Sequence, residues 1–232
     1  MKRLAKSLVV LCSIMSSSYV SAFVDDMTPF VGIDYYHALM KGRDDYVQIF
    51  PKSHPGVTIY VGTKFHEFFG VELGFDTSIA KKKDWVIPAN GRFFNITNGA
   101  TTIFGQTKFL RTGGHFDVFG SFPLADCFDI TGALGFGWIK PSITVDIISG
   151  PAGGNTLTSA LNSIKGKGKG FFRVGVGLSY MFTNIIGFRA KVGWEGTSAL
   201  RVTGDQNFTA AGFSEKAFKG STTLSVGVFS KF

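Results

Sequence analysis

Phe172-Arg173-Val174-Gly175-Val176-Gly177-Leu178-Ser179-Tyr180 is the stretch that decides how this chain is read. Successive side chains of an extended strand point to opposite faces. Phe172, Val174, Val176, Leu178 and Tyr180 therefore share one face, and Arg173, Gly175, Gly177 and Ser179 the other. After Thr183-Asn184-Ile185-Ile186, a turn-sized break, the pattern returns with Phe188, Ala190, Val192 and Trp194 against Arg189, Lys191, Gly193 and Glu195. Two alternating runs joined by a short break predict a hairpin with one apolar and one charged face.

Working outward, the same alternation appears in six more segments. Val31, Ile33 and Tyr35 oppose Gly32, Asp34 and Tyr36. Val57, Ile59, Val61 and Phe65 oppose Thr58, Tyr60, Gly62 and Lys64, and after the turn at 66–70, Val71, Leu73, Phe75 and Ile79 oppose Glu72, Gly74, Asp76 and Ser78. Leu110, Phe116 and Val118 oppose Arg111, His115 and Asp117, with a turn expected at 122–126. Ile130, Leu134, Phe136 and Trp138 oppose Thr131, Ala133, Gly135 and Gly137. The last segment sets Leu224, Val226, Val228 and Phe232 against Thr223, Ser225, Gly227 and Lys231. Long connections are expected at about 39–55, 81–105, 141–168 and 197–216, alternating with the short turns.

Which side of these strands is buried follows from cost. A soluble β-sandwich or lipocalin would bury the face opposite the solvent-facing one. Here the second face carries Asp34, Lys64, Glu72, Asp76, Asp117, Arg173, Arg189, Lys191 and Glu195. Desolvating so many ions is expensive, whereas a barrel in lipid places them in a polar lumen and its apolar face outside. No segment beyond the N-terminus is a long apolar run free of charge and glycine, so spanning helices are not expected. A membrane form must then be a closed barrel, since open sheet edges cannot face lipid. The expected fold is all-β, an eight-stranded antiparallel up-and-down transmembrane barrel.

Composition agrees: 15% aromatic with 25 Phe, 30 Gly, and only 17% charged residues among 232. Lys2, Arg3 and Lys6 precede the apolar run 8–15, and Val20-Ser21-Ala22 supplies small residues. Residues 1–22 are expected to be a signal peptide cleaved between Ala22 and Phe23, with 23–232 forming the barrel. Cleavage removes three cations and no acid, leaving 21 Lys and Arg against 16 acids, a net +5. Cys127 is then the one remaining cysteine, so an intramolecular disulfide is not expected.

The leader, the eight alternating segments and the ending Leu224-Ser-Val-Gly-Val-Phe-Ser-Lys-Phe232 together resemble the superfamily of OmpA-like transmembrane domains and opacity-type surface antigens. That resemblance implies an outer-membrane surface protein of a Gram-negative bacterium displaying four extracellular loops. It also implies that Leu224, Val226, Val228 and Phe232 form the signal read by the barrel-assembly machinery, although Ser230 departs from the apolar pattern. Partners implied are outer-membrane lipids and lipopolysaccharide, the assembly machinery, and host surface molecules met through the loops. No nucleic-acid partner is expected.

Two other functional classes compete with that reading. An eight-stranded lumen is just wide enough for side chains or one small ligand, so a narrow porin-like pore is the alternative, and a lipid A-modifying enzyme ranks below it. His115 and Asp117 share a face, but no Ser lies near His115 on that face of its strand for nucleophilic chemistry. The Gly-X-Gly runs at 135–137 and 175–177 lie inside strands, without the helix that a phosphate loop needs. No catalytic residue, metal ligand set or cofactor is expected. Lys81-Lys82-Lys83 and Lys165, Lys167 and Lys169 are read as solvated loop charge, with lipopolysaccharide phosphates as the alternative. Within the lumen, Lys64 is expected opposite Glu72, and Arg173 opposite or diagonal to Glu195.

Overall fold

The computed structural model describes residues 27–42, 48–93, 96–150, 158, 161–162, 164–196, 201–203 and 218–232. The expected signal peptide and its cleavage point lie outside the described residues. Eight strands form the wall: β1 Thr28–Gly42, β2 Ser53–His66, β3 Phe69–Ser78, β4 Ile103–Ala125, β5 Phe128–Ser149, β6 Lys169–Met181, β7 Ile186–Gly196 and β8 Phe218–Lys231. Each pairs antiparallel with its chain neighbour, and β1 closes the ring on β8. No helix among the described residues is long and apolar enough to cross a membrane.

The pitch of the barrel can be read from its register. Stepping from partner to partner, Phe30 leads to Gly62, Glu72, Asp117, Gly135, Arg173, Glu195 and Ser221, and Ser221 pairs with Met40. One circuit thus returns to β1 ten residues further along. With a rise of roughly 3.3 Å per residue and roughly 4.8 Å between strands, that stagger tilts the strands by about 40°. Side chains on one hydrogen-bonded row therefore climb along the barrel axis, and groups that meet across the lumen come from different rows.

The two faces separate as the alternation predicts. Ile33, Leu73, Leu134 (57% exposed), Val176 (62%) and Val226 point outward, while Asp34, Glu72 (2%), Arg111 (2%) and Glu195 point inward. Tyr180 and Phe188 lie outward at the end carrying the short turns, and Trp138 and Trp194 lie outward towards the other end.

Four expectations need correction. The segments 81–87 and 141–149 are strands, where long loops were expected: Lys81–Ile87 pairs with β4, and β5 runs on to Ser149. Trp85 and Ile87, and Ile143, Val145 and Ile147, continue an inward period-two apolar pattern that their charged and Pro-containing surroundings obscure. The turn after β4 is Asp126-Cys127, not 122–126, because Pro123 is accommodated at a register shift between Pro123 and Ala125. The fourth concerns the first predicted charge pair: Lys64 faces Gly70, and Glu72 faces Gly62. The turn contains only Glu67-Phe68, and β2 carries a bulge between Lys64 and His66, which together slip the register by two residues.

β4 and β5 are 23 and 22 residues long, about twice what a tilted bilayer crossing requires. Since they meet at a short turn, the surplus projects at the opposite end. There β4, β5 and Lys81–Ile87 form a sheet whose outer face carries Lys82, Asp84, Lys108, Thr144 and Asp146. Its inner face closes over an apolar cluster including Phe50, Trp85, Ile103, Phe109, Ile139 and Leu161. The Trp85 indole donates to Thr107 Oγ1 at 2.9 Å, satisfying its one polar atom inside that cluster.

Candidate functional site: a charged lumen between two apolar plugs

Inside the wall, the strands deliver three layers. At the short-turn end Phe30 packs edge-on against Tyr60, Phe119 and Phe229, with ring centroids 5.8–6.5 Å apart. At the far end sits the apolar cluster beneath the projecting sheet. Between them lies a network of buried ions around a cavity of about 90 Å³, room for only a few water molecules, whose lining reaches Lys64, Asp129 and Lys231 beside the aromatic layer.

Arg189 from β7 is the hub of this network. Its Nε and Nη2 donate to Asp34 of β1 at 2.9 and 2.7 Å, and its Nη1 and Nη2 donate to Glu72 of β3. The guanidinium lies 3.3 Å from the Tyr60 ring centroid, and Lys191 adds a second cation to Glu72 at 3.1 Å. A second hub pairs Arg111 of β4 with Glu195 of β7 at 3.2 Å, Ser221 donating to the same carboxylate at 2.9 Å. Arg173 of β6 contacts Asp117 of β4 at 3.5 Å.

Glycines set how far these side chains reach. Gly227 of β8 lies in register between Arg189 and Asp34, and Gly135 of β5 lies between Arg173 and Asp117. A Cβ at either position would collide both with the carboxylate, at Asp34 Oδ1 or Asp117 Oδ1, and with the backbone carbonyl of Ile33 or Phe116. Charge, glycine, charge on three adjacent strands is thus a saddle across which next-but-one strands are tied.

His115 occupies the remaining centre. One ring nitrogen, Nδ1, is 2.8 Å from Asp76, whose other oxygen accepts from Thr58 at 2.6 Å. Its Nε2 stands 3.6 Å from Glu72 and 3.9 Å from Asp117 and has no hydrogen-bond partner among the described residues. Glu72, His115 and Asp117 present ligand atoms all within 4.8 Å of one another, a grouping that spacing along the chain does not display because Glu72 comes from β3. Both carboxylates already face cations: Arg189 and Lys191 at Glu72, Arg173 at Asp117. Among the described residues no hydroxyl or thiol is bonded to Nε2 as a nucleophile would be.

The four expected lumen charges are all inward, but they divide differently from the expected pairs. Lys64 bonds Asp129 at 3.0 Å near the short-turn end, and Glu72 belongs to the Arg189 hub. Arg173 and Glu195 are register partners, yet their ion contacts are with Asp117 and Arg111 respectively. Leu224, Val226 and Val228 face outward on β8, and Phe232 (74% exposed) ends beside β1, its N–H donating to Pro29 O at 3.0 Å.

A closed ring with an apolar exterior and an ionic, largely filled interior defines a transmembrane β-barrel of the outer-membrane type. No protein-family model and no curated protein sequence matches the chain. Among solved structures it is similar to a major outer membrane protein from Thermus thermophilus, at 14% identity over 89% of this chain and 99% of that one, TM-score 0.50. It is also similar to Neisserial surface protein A, with 14% identity, 90% and 98% coverage and TM-score 0.49. OprG from Pseudomonas aeruginosa follows at 12% identity, 89% and 96% coverage, TM-score 0.48. The chain has the fold of the small outer-membrane β-barrel proteins.

Proposed function

We propose that this protein is an antigen- or adhesin-type surface protein of a Gram-negative outer membrane, a non-enzymatic barrel that displays chain on the outer side and carries no open pore. The observation that supports this reading is the pairing of a filled lumen with an elongated wall. The aromatic layer at Phe30 narrows the short-turn end of the ionic layer, and the apolar cluster at Trp85 covers the other. Meanwhile β4, β5 and Lys81–Ile87 raise a sheet well beyond the lipid-facing band, its outer face polar from Lys140 to Asp146 and ending in exposed Val86, Phe104 and Ile148. In this reading the leader is removed at Ala22-Phe23, and Leu224, Val226, Val228 and Phe232 serve the assembly machinery. Segments beyond the projecting sheet meet host surface molecules.

One experiment tests orientation and processing together. Cys127 is exposed in the turn Asp126-Cys127, and Asp146 is exposed on the projecting sheet. A large, membrane-impermeant maleimide applied to intact cells should modify the variant carrying Asp146→Cys and Cys127→Ser. It should leave Cys127 of the natural chain unmodified until the outer membrane is opened. Protein from the same membranes should begin at Phe23. Labelling of Cys127 on intact cells, or an intact leader, contradicts the proposal.

A further inference from the structure

The outer face of the projecting sheet holds a basic step that the lumen does not explain. Lys82 and Lys108 are direct register partners and both point outward, although like charges directly opposite each other repel. Lys140, opposite Thr112, lies two outward positions nearer the membrane along β5, and the next outward residue below it is Trp138. Among the described residues none of these three lysines has an ion-pair partner. The outward acids Asp84 and Asp146 come one position further from the membrane, both opposite Gln106, which donates to Asp84 at 2.7 Å. Passing outward, the wall therefore presents Trp138, then three cations, then two acids.

Below this step the wall is dented. Gly170 lies beside Trp138 in register, and Phe136, Phe172 and Trp194 rim a shallow apolar depression around it. An apolar hollow topped by lysines without an ion-pair partner among the described residues fits a molecule with acyl chains below and phosphate above.

We propose that Lys82, Lys108 and Lys140 bind the phosphates of a phosphorylated glycolipid of the outer leaflet, of the lipid A class, with an acyl chain lying in the depression at Gly170. The inference rests on the outer-membrane reading above and adds a lipid partner and its site. Phosphate between Lys82 and Lys108 removes their mutual repulsion, and because a ligand that binds only the folded form stabilises it, binding is readable as thermal stability.

The test uses the folded protein in nanodiscs of phosphatidylethanolamine alone, or with diphosphorylated lipid A, dephosphorylated lipid A or phosphatidylglycerol at matched charge. Unfolding is followed as loss of the compact, heat-modifiable form. Diphosphorylated lipid A should raise the midpoint of the natural chain by a few degrees, and the other two additives by less. Lys82→Gln/Lys108→Gln/Lys140→Gln should lose that increment while matching the natural chain in phosphatidylethanolamine, and Lys52→Gln should keep it. A compact form in phosphatidylethanolamine alone supports the membrane reading independently of the lysines. Equal increments in the natural and triple-variant proteins then overturn the phosphate site alone. So does an equal effect of dephosphorylated lipid A, which indicates chains only, or of phosphatidylglycerol, which indicates surface charge only.

Discussion

Each buried ion in the lumen has been stripped of water, and its stability depends on a partner held at the right distance. Arg189 is held between Asp34 and Glu72, and Gly227 leaves the gap through which it reaches Asp34. Filling that gap should displace the carboxylate and leave a buried cation short of a partner, a loss of about 3–5 kcal/mol. Gly227→Val and Gly135→Val are therefore expected to lower unfolding stability in detergent by that order. Gly132→Val should change it little, because a Cβ there meets nothing within 4 Å on the outward face. If Gly227→Val costs as much in an Asp34→Asn background as in the natural chain, the loss comes from the backbone clash at Ile33 and not from the ion pair. The inward placement of these charges was legible from alternation, which needs only neighbouring residues. Their partners were not: Arg189 meets Asp34 from 155 positions away, and the stagger of the whole ring decides which rows meet. Arg173 illustrates the limit, facing Glu195 across one hairpin while its guanidinium contacts Asp117 two strands away in the other direction.

At the level of elements, the strands do two jobs along their length. Near the short turns they alternate lipid-facing and lumen-facing residues, while beyond Trp138 the outer face of β5 turns to Lys140, Ser142, Thr144 and Asp146. The inner face stays apolar through Ile139, Ile143, Val145 and Ile147. That change of outer face marks where lipid ends, and it also hid the strand extensions from the sequence: with polar outer residues and Pro141 interrupting, 141–149 reads as loop. The hairpin closure was hidden for a different reason, because the bulge beside Lys64 is a one-residue event with no distinct sequence mark. The projecting sheet is held by Trp85, buried and bonded to Thr107. Trp85→Ala should remove about 3–5 kcal/mol of local packing and open the sheet to proteolysis at Lys81–Lys83. The compact membrane band should survive, since it has its own lumen network. Cleavage that comes only with loss of the whole barrel would contradict two separable layers.

The molecule as a whole is a barrel whose stagger, eight strands and ten residues per circuit, fixes a width that its own side chains fill. An aromatic layer around Phe30 narrows one end, an apolar cluster around Trp85 covers the other, and opposite walls are tied through Arg189–Glu72 and Arg111–Glu195. A conducting path would have to break those ties and desolvate the ions passing both plugs. The proposed barrel therefore spans the membrane without opening it. Single-channel recording of the folded protein in planar bilayers, with insertion verified by its heat-modifiable form, tests this most directly. No discrete conductance steps are expected at moderate voltage, whereas stable unitary steps from the natural chain would contradict the closed lumen and favour a narrow pore.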